Sequence, residues 1–173
     1  MAKIHLIEGP VGAGKSTFSI RLGHDLSAPR LDLDEWIVTL FRADRPETDF
    51  VTWYLERKRR CIEQIWSVAS EILGSGTDAV LELGLVGRAD RAAFYERVDD
   101  LDYELVVYVL ETPEETRRQR VRERNRQKGD SFKMEVSDEI FELANRAWQA
   151  PSETECRERR IRFVDTSRTF RAL

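Results

Sequence analysis

The chain has 173 residues, of which 41% are hydrophobic and 35% are charged, and its formal net charge is −4. This length and composition are typical of one α/β domain that buries its own core beneath an ionic surface, and we predict a single domain over residues 1–173. The negative charge argues against a generic nucleic-acid binder, and the lack of an 18-residue apolar run argues against a transmembrane helix.

The first predicted strand, Lys3–Glu8, leads directly into the segment GPVGAGKST at residues 9–17. This segment fits G-x-x-x-x-G-K-[ST], the phosphate-cradling loop that lies between a strand and a helix in P-loop proteins. Both neighbours are predicted here, because apolar residues suit a buried strand before the loop and recur at helical spacing after it, at Phe18, Leu22 and Leu26. The sequence therefore predicts a nucleotide site.

Glycines let the backbone N–H groups of this loop point at phosphate oxygens, and the helix that starts near Lys15 adds its positive N-terminal end. We expect Lys15 to reach the β- and γ-phosphates and the Ser16 hydroxyl to hold Mg²⁺. The predicted nucleotide-binding residues of the loop are Gly9, Val11, Gly12, Ala13, Gly14, Lys15, Ser16 and Thr17.

The second predicted strand covers residues 29–34, where Asp32 and Asp34 alternate and so point the same way. Ligands of open α/β sheets bind outside the carboxyl ends of the strands. We therefore predict Asp34 as the base that orients an acceptor hydroxyl, and Asp32 as the partner of a Mg²⁺-bound water. The alternative is that one of these carboxylates only caps the next helix, Asp34 at Glu35-Trp36.

A long amphipathic helix is predicted over residues 48–73 and is ended by the Gly74-Ser-Gly76 segment. At its head, Trp53 and Arg57 are candidates for an acceptor pocket, whereas Tyr54 belongs to the apolar stripe and is expected in the core. The third predicted strand, residues 79–84, carries Glu82, where a Walker B-like acid would organise Mg²⁺-bound water. A solvated strand-end glutamate is the alternative.

After the third strand, Arg88 and Arg91 follow a short loop and are candidates to contact a phosphate or an anionic acceptor. The fourth predicted strand covers residues 104–110. The helix after it is predicted to open at Thr112-Pro113, because Thr112 and Glu115 have the spacing of a capping box.

This helix is rich in basic residues, which recur from Arg117 to Lys133. Arg117, Arg120 and Arg124 share one helical face, and arginines stabilise the charge that develops in phosphoryl transfer. We predict Arg120 and Arg124 as catalytic, Arg117 as nucleotide-binding, and a short lid over residues 124–137 with a flexible tip at Gly129-Asp-Ser131. For any single arginine, a solvated surface position is the alternative.

The last predicted strand covers residues 161–166, and the alternation of strands with helices predicts a parallel sheet with helices on both faces. A GTPase would carry an Asp-x-x-Gly switch and an Asn-Lys-x-Asp guanine reader, and the sequence has neither. An oligomeric AAA+ machine needs a helical lid domain for which the chain is too short. A small phosphotransferase remains.

The whole chain resembles the small P-loop kinases, a group that includes adenylylsulfate, shikimate and gluconate kinases, chloramphenicol phosphotransferase and zeta toxin. The resemblance rests on residues 9–17, 31–35 and 117–126. The chain is more closely similar to bacterial ATP-binding proteins of the AAA family ATPase type, through residues 81–84, Arg124-Asn125 and residues 148–155.

This resemblance implies a three-layer fold with a five-stranded parallel sheet in the order 2-3-1-4-5, and ATP with Mg²⁺ as the phosphoryl donor. It also implies that adenine lies between the lid-side arginines and the loop after the last strand, at Thr166-Ser167. This chain departs from its relatives at Glu82, where they often have Asp, and at residues 148–151, where they often have Phe-Glu-Pro-Pro. The resemblance does not carry over an acceptor.

We therefore expect an ATP-dependent kinase that acts on a hydroxyl of a small molecule, with no nucleic-acid or membrane partner and no sequence signal for an oligomeric state. Cys61 and Cys156 lie far apart without metal-binding spacing, which together with the absence of a signal peptide predicts reduced thiols and a cytoplasmic location. Two other functions remain open: a nucleotide-binding regulatory ATPase with slow hydrolysis and, with less support from the net charge, a nucleic-acid end kinase.

Overall fold

A computed structural model describes residues 2–101, 103–127 and 135–167 of the chain. Within these ranges, five strands form one parallel sheet in the order β2-β3-β1-β4-β5. The strands are β1 (Lys3–Glu8), β2 (Arg30–Asp32), β3 (Ala79–Glu82), β4 (Glu104–Glu111) and β5 (Ile161–Asp165). This is the sheet order that the resemblance to small P-loop kinases implies, so that prediction is confirmed.

Seven α-helices connect the strands or follow one another between them. They are α1 (Lys15–Leu26), α2 (Leu33–Phe41), α3 (Phe50–Gly74), α4 (Arg88–Asp99), α5 (Glu114–Gln127), α6 (Asp138–Ala147) and α7 (Glu153–Glu158), with a short 3-10 turn at Arg42–Asp44. Of these, α1, α3 and α5 correspond to predicted helices, whereas α2, α4, α6 and α7 have no individual counterpart among the predicted elements. Among the helices described, none combines the length and apolarity that crossing a bilayer requires.

The central strand β1 supplies side chains to both faces of the sheet. Ile4 and Leu6 are fully buried in the larger core, which α3 and α4 cover, and Ile7 is buried in a smaller core on the α1 side. This alternation follows from the two-residue period of a strand. Helices therefore lie on both faces of the sheet, as predicted.

Helix α3 is held by one apolar stripe, as its sequence pattern predicts. The stripe buries Cys61, Ile65, Trp66, Ala69 and Leu73. Trp66 meets Phe94 of α4 edge to face, with ring centroids 5.6 Å apart. Each large apolar side chain buried in this way contributes about 1.5–3 kcal/mol to folding.

The second strand is shorter than predicted. β2 ends at Asp32 and α2 begins at Leu33, so Asp32 and Asp34 do not alternate on one strand. The reason is a helix cap: the Asp32 carboxylate accepts a hydrogen bond of 3.1 Å from the backbone N–H of Glu35. The strand prediction for residues 33 and 34 is therefore wrong, and the capping role that we considered for Asp34 belongs to Asp32.

Candidate active site

The loop after β1 has the backbone of a phosphate-binding loop. Gly12 has φ +78°, and a Cβ added there would lie 2.7 Å from the backbone oxygen of Arg117, so only glycine fits. Gly9 has φ +147° and approaches the backbone of Leu110 nearly as closely. Helix α1 starts directly after the loop at Lys15, which places its N-terminal end at the loop.

Two side chains in the first turns of α1 face a shared acid. The Ser16 hydroxyl donates to one oxygen of Glu82 at 3.2 Å, and the Ser19 hydroxyl donates to the other at 3.0 Å. The Lys15 ammonium is turned back across the loop, where it donates to the carbonyls of Gly9 at 2.9 Å and Pro10 at 3.0 Å. The structure therefore places Glu82 beside the loop at the end of β3, and its predicted role toward Mg²⁺-bound water stays a prediction.

Arg117 supports the loop from behind. Its guanidinium donates to the carbonyl of Val11 at 3.0 Å, to the carbonyl of Thr112 at 3.1 Å and to the side chain of Asn145 at 2.7 Å. The residue is buried, and burial lowers its pKa from the ordinary arginine value. We predicted a contact with the nucleotide; in this structure all three guanidinium nitrogens donate to protein acceptors, and the nucleotide contact stays a prediction.

Thr166 supports the loop from the end of β5. Its hydroxyl donates to the carbonyl of Ala13 at 2.8 Å. The same hydroxyl contacts that of Thr112, which therefore does not form the capping box predicted for the next helix. Helix α5 begins at Glu114, with the backbone N–H of Arg117 donating to the carbonyl of Pro113 at 3.1 Å.

In front of the loop lies a cavity of about 330 Å³, a volume within the range of small-ligand sites. Four parts of the chain besides the loop contribute to it: the first turn of α2, the end of β3, one face of α5 and Val136 before α6. Its lining residues are Val11, Gly12, Gly14, Lys15, Ser16, Thr17, Asp34, Glu82, Arg120, Val121, Arg124 and Val136. The structure thus brings together most of the residues that we predicted as catalytic or metal-binding.

Asp34 occupies one wall of this cavity, on an exposed position of the first turn of α2. It lies close enough to Tyr54 to act on the phenol: burial raises the pKa of Tyr54, and the charge of Asp34 raises it further. Asp34 also interacts electrostatically with Arg124 across the cavity. A carboxylate and a guanidinium therefore line the same cavity as the loop, close enough to interact.

The arginines of α5 form the opposite wall. Arg120 donates to the carbonyl of Thr166 at 2.6 Å. Arg124 is half-buried, and this burial lowers its pKa, with Asp34 acting in the opposite direction. The buried Nε of Arg124 has no hydrogen-bond partner among the described residues. A partly desolvated guanidinium that lines a cavity with an unsatisfied Nε–H is suited to bind an anion.

The oxygen atoms at the end of β3 fit a magnesium ion. The Ser16 hydroxyl and the Glu82 carboxylate are adjacent and both line the cavity. Mg²⁺ takes oxygen ligands, keeps several waters and uses few protein groups beside substrate phosphates. Consistent with so sparse a site, no group of three His, Cys, Asp or Glu side chains in the described ranges is arranged to hold a metal by itself.

Asp32 is not among the residues that line the cavity. It is buried, one carboxylate oxygen accepts from Glu35, and the other is paired with Arg30. Arg30 in turn lies 3.9 Å from Glu82, so the pair contributes to the electrostatic environment of Glu82. We predicted Asp32 as a partner of Mg²⁺-bound water; in this structure its carboxylate caps α2 and pairs with Arg30, and the metal role stays a prediction.

Two arginines predicted to contact a phosphate or the acceptor make contacts with protein groups in this structure. Arg91 is fully buried and makes a two-point ion pair with Glu155, at 2.7 and 3.2 Å. Arg88 donates from its Nε to the carbonyl of Ala150 at 3.0 Å. These side chains fasten the segment before α7 to the start of α4, and the predicted contacts with a phosphate or an anionic acceptor stay predictions.

Trp53 and Arg57 pack on each other at the head of α3. The guanidinium of Arg57 lies 4.5 Å from the Trp53 ring centroid and donates to the Trp53 carbonyl at 3.2 Å. The buried Trp53 Nε1 and Arg57 Nε have no hydrogen-bond partners in the described part of the chain. Neither residue lines the cavity in front of the loop. Their role in acceptor binding stays a prediction.

The lid tip predicted at Gly129-Asp-Ser131, together with Lys128 and Lys133, lies outside the described residues. The segments on either side of it are connected by hydrogen bonds of the Asn125 side chain. Its side-chain amide donates to the carbonyl of Val136 at 2.8 Å and accepts from the Val136 N–H at 3.3 Å. Val136 and Arg124 line the same cavity, so both ends of the predicted lid are close to the site.

Sequence reasoning missed Glu8 and Glu155. Glu8 is the last residue of β1 and is buried, and burial raises the pKa of its carboxyl to about 8. A signal was present, because Glu8 is two residues from Leu6 and must face the same core. Glu155 was also readable: Ser152 and Glu155 have capping-box spacing, and the box is formed at the start of α7.

The comparisons with known proteins agree with this fold. The sequence model of the family AAA_33, described as an AAA domain, matches residues 4–151. Comparison with the curated proteins finds no significant match.

Solved structures of kinases superpose on most of the chain. A protein described as a "putative kinase" from Chloroflexus aurantiacus has a TM-score of 0.73 at 19% identity, over 96% of this chain and 89% of that one. A gluconokinase from Sinorhizobium meliloti has 0.61 at 16%, over 96% and 83%. The APS kinase of Mycobacterium tuberculosis, solved with AMPPNP and APS, has 0.61 at 18%, over 97% and 90%. At these identities the likeness shows the fold.

Proposed function

Because the chain belongs to the AAA domain family and has the fold of small P-loop kinases, we propose that it is a kinase that transfers the γ-phosphoryl group of ATP to a hydroxyl of a small molecule. One observation carries this proposal. The cavity of about 330 Å³ has a phosphate-binding loop at its base, a carboxylate on one wall and arginines on the other. Donor, base and charge-stabilising groups are thus present around one space large enough for reacting groups.

The donor half consists of the loop and the start of α1. When a nucleotide binds, Lys15 would exchange the carbonyls of Gly9 and Pro10 for the β- and γ-phosphate oxygens. Ser16 and Glu82 would hold Mg²⁺, which neutralises charge on the phosphate oxygens when bound. The APS kinase among the structural neighbours was solved with AMPPNP, which supports an adenine nucleotide as donor.

The arginine wall would stabilise the transferring group. Charge spreads over the equatorial oxygens of the phosphoryl group as it leaves ADP, and positively charged groups fixed in advance stabilise that charge. Arg124 supplies an unpartnered, desolvated Nε, and Arg120 is held in place by the carbonyl of Thr166. We therefore assign charge stabilisation to Arg124 and Arg120.

The acceptor half is built on Asp34. Its carboxylate would accept the proton of the acceptor hydroxyl while the new O–P bond forms and the bond from the γ-phosphorus to the ADP oxygen breaks. The exposed position of Asp34 at the cavity leaves room for a substrate beside it. The names of the two neighbours, gluconokinase and APS kinase, imply two different acceptors. We therefore do not assign the acceptor of either protein to this chain.

The experiment that tests this proposal is a panel of acceptors assayed by ADP release. Sugars, nucleosides, amino-acid derivatives and aminoglycosides are each incubated with the protein, ATP and Mg²⁺. We expect at least one class to accelerate ADP release, and the Asp34→Asn variant to lose this acceleration while it still binds ATP. Slow hydrolysis that no acceptor accelerates would instead favour the regulatory ATPase.

A further inference from the structure

Glu8 is a carboxyl group buried directly beneath the phosphate loop. It is the residue before Gly9, it is 2% exposed, and its Oε1 has no hydrogen-bond partner among the described residues. Ionisable groups face it from each neighbouring helix, namely Lys15 of α1, Lys58 of α3, Arg91 and Tyr95 of α4, and Glu155 of α7. No role in the proposed reaction accounts for a carboxyl at this position.

The cations around Glu8 are committed to other acceptors. Arg91 is paired at two points with Glu155, Lys58 donates to the carbonyl of Gly84 at 3.0 Å, and Lys15 donates to two loop carbonyls. Glu8 therefore has positive charge nearby but no dedicated counterion. Burial outweighs the attraction of Arg91 and Lys15 and raises the pKa of Glu8 to about 8, so the carboxyl holds a proton at neutral pH.

The neutral form of Glu8 has a consequence for Lys15. A protonated carboxyl competes weakly for an ammonium, so Lys15 can turn from the loop carbonyls to bound phosphates. An ionised carboxylate attracts the ammonium back and adds a negative charge behind a site for anions. Glu8 and the nucleotide phosphates thus act on the same positive charge from opposite sides.

We propose that Glu8 is a positioning residue for Lys15, whose proton leaves the ammonium free to bind nucleotide phosphates and whose ionisation holds the ammonium back. This inference rests on the proposed nucleotide site. Because the nucleotide binds better to the protonated form, binding draws a proton onto Glu8, and nucleotide affinity falls as pH rises through the pKa of about 8. The decline approaches about tenfold per pH unit at its steepest.

The test is calorimetric titration of ADP, with saturating Mg²⁺, between about pH 6.5 and 9.5. We expect the affinity of the wild-type protein to fall by about tenfold between neutral pH and about pH 9.5. The Glu8→Gln variant, which keeps the shape of the protonated acid and cannot ionise, should show little change over the same range. As a matched control, Glu104→Gln removes a half-buried carboxylate at the opposite end of the sheet and should keep the wild-type profile.

The proposal is overturned if wild type and Glu8→Gln show the same pH profile. Loss of ADP binding in both at every pH would instead contradict the proposed nucleotide site. If Glu8→Gln does not fold, proton uptake by the wild-type protein decides the matter. Titrations at about pH 8 in two buffers of different ionisation enthalpy should show net uptake of a fraction of a proton on ADP binding, and zero uptake overturns the proposal.

Discussion

The donor and acceptor halves of the candidate site are built in different ways. The donor half is a continuous segment, residues 9–17, in which positive φ values and close backbone approaches leave only glycine at key positions. The acceptor half faces the loop and is assembled from the first turn of α2 and one face of α5, which meet only in the folded chain. The backbone shape of a local motif follows from its consecutive residues. The shape of a site made by tertiary contacts depends on which polar groups pair with one another.

The largest effect is expected at the point where the two halves meet. Replacing Asp34 with Asn removes the base but keeps the shape of the side chain, so phosphoryl transfer should slow by about 10²–10⁴-fold. ATP affinity, measured by calorimetry on the same preparation, should stay close to wild type. Equal transfer rates in the two proteins would remove Asp34 from the mechanism.

The buried ion pair between α4 and α7 lies outside the cavity lining and should contribute to stability. The Arg91→Met variant leaves Glu155 without its partner and should lower the free energy of unfolding by about 3–5 kcal/mol, as measured by denaturant titration. Arg97→Met is the matched control, because Arg97 pairs with Glu63 at the surface and should cost about 1 kcal/mol or less. A small effect at Arg91 that matched the control would argue against a structural role.

The donor half depends on one ammonium group. Lys15→Ala should weaken ATP binding by about 100-fold, because a charge-assisted contact to the phosphates is lost. Calorimetry with wild type and with Lys3→Ala, which changes an exposed lysine at the far end of β1, measures the difference. Unchanged ATP binding in Lys15→Ala would contradict the assignment of the site.

The smallest effect separates the two aspartates. Asp32→Ala should lower the free energy of unfolding by about 0.5–2 kcal/mol because α2 loses its cap. Asp32→Asn keeps an oxygen that can accept from Glu35 and should be nearer to wild type. Both variants should keep the wild-type dependence of transfer on Mg²⁺ concentration. A changed dependence would instead support the prediction that Asp32 binds a Mg²⁺-bound water.

Sequence patterns were sufficient to predict a parallel sheet with helices on both faces and the phosphate-binding loop after the first strand. Strand β1 and helix α1 follow from apolar periodicity around the loop, and the long helix α3 follows from its apolar stripe. Each of these signals is local, so neighbouring residues alone determine the structure. The strand order came from the resemblance to small P-loop kinases, since periodicity does not define which strands pair.

The sequence does not determine which of two possible partners a polar side chain takes. Asp32 turns to a helix cap, Arg91 to Glu155, and Arg117 to the carbonyl of Val11. A charged residue near a predicted site looks the same in the sequence whether it meets a ligand or a protein group. Only the packing of α2, α4 and α5 against the sheet decides this.

The proposed kinase activity is tested most directly by following the γ-phosphate of ATP. ATP labelled in that group is incubated with the protein, Mg²⁺ and the acceptor class that most accelerates ADP release, and the labelled products are separated. We expect the label in a phosphorylated acceptor, with a yield that Asp34→Asn strongly reduces. Label found only as inorganic phosphate, at the same rate with and without acceptors, would contradict a kinase.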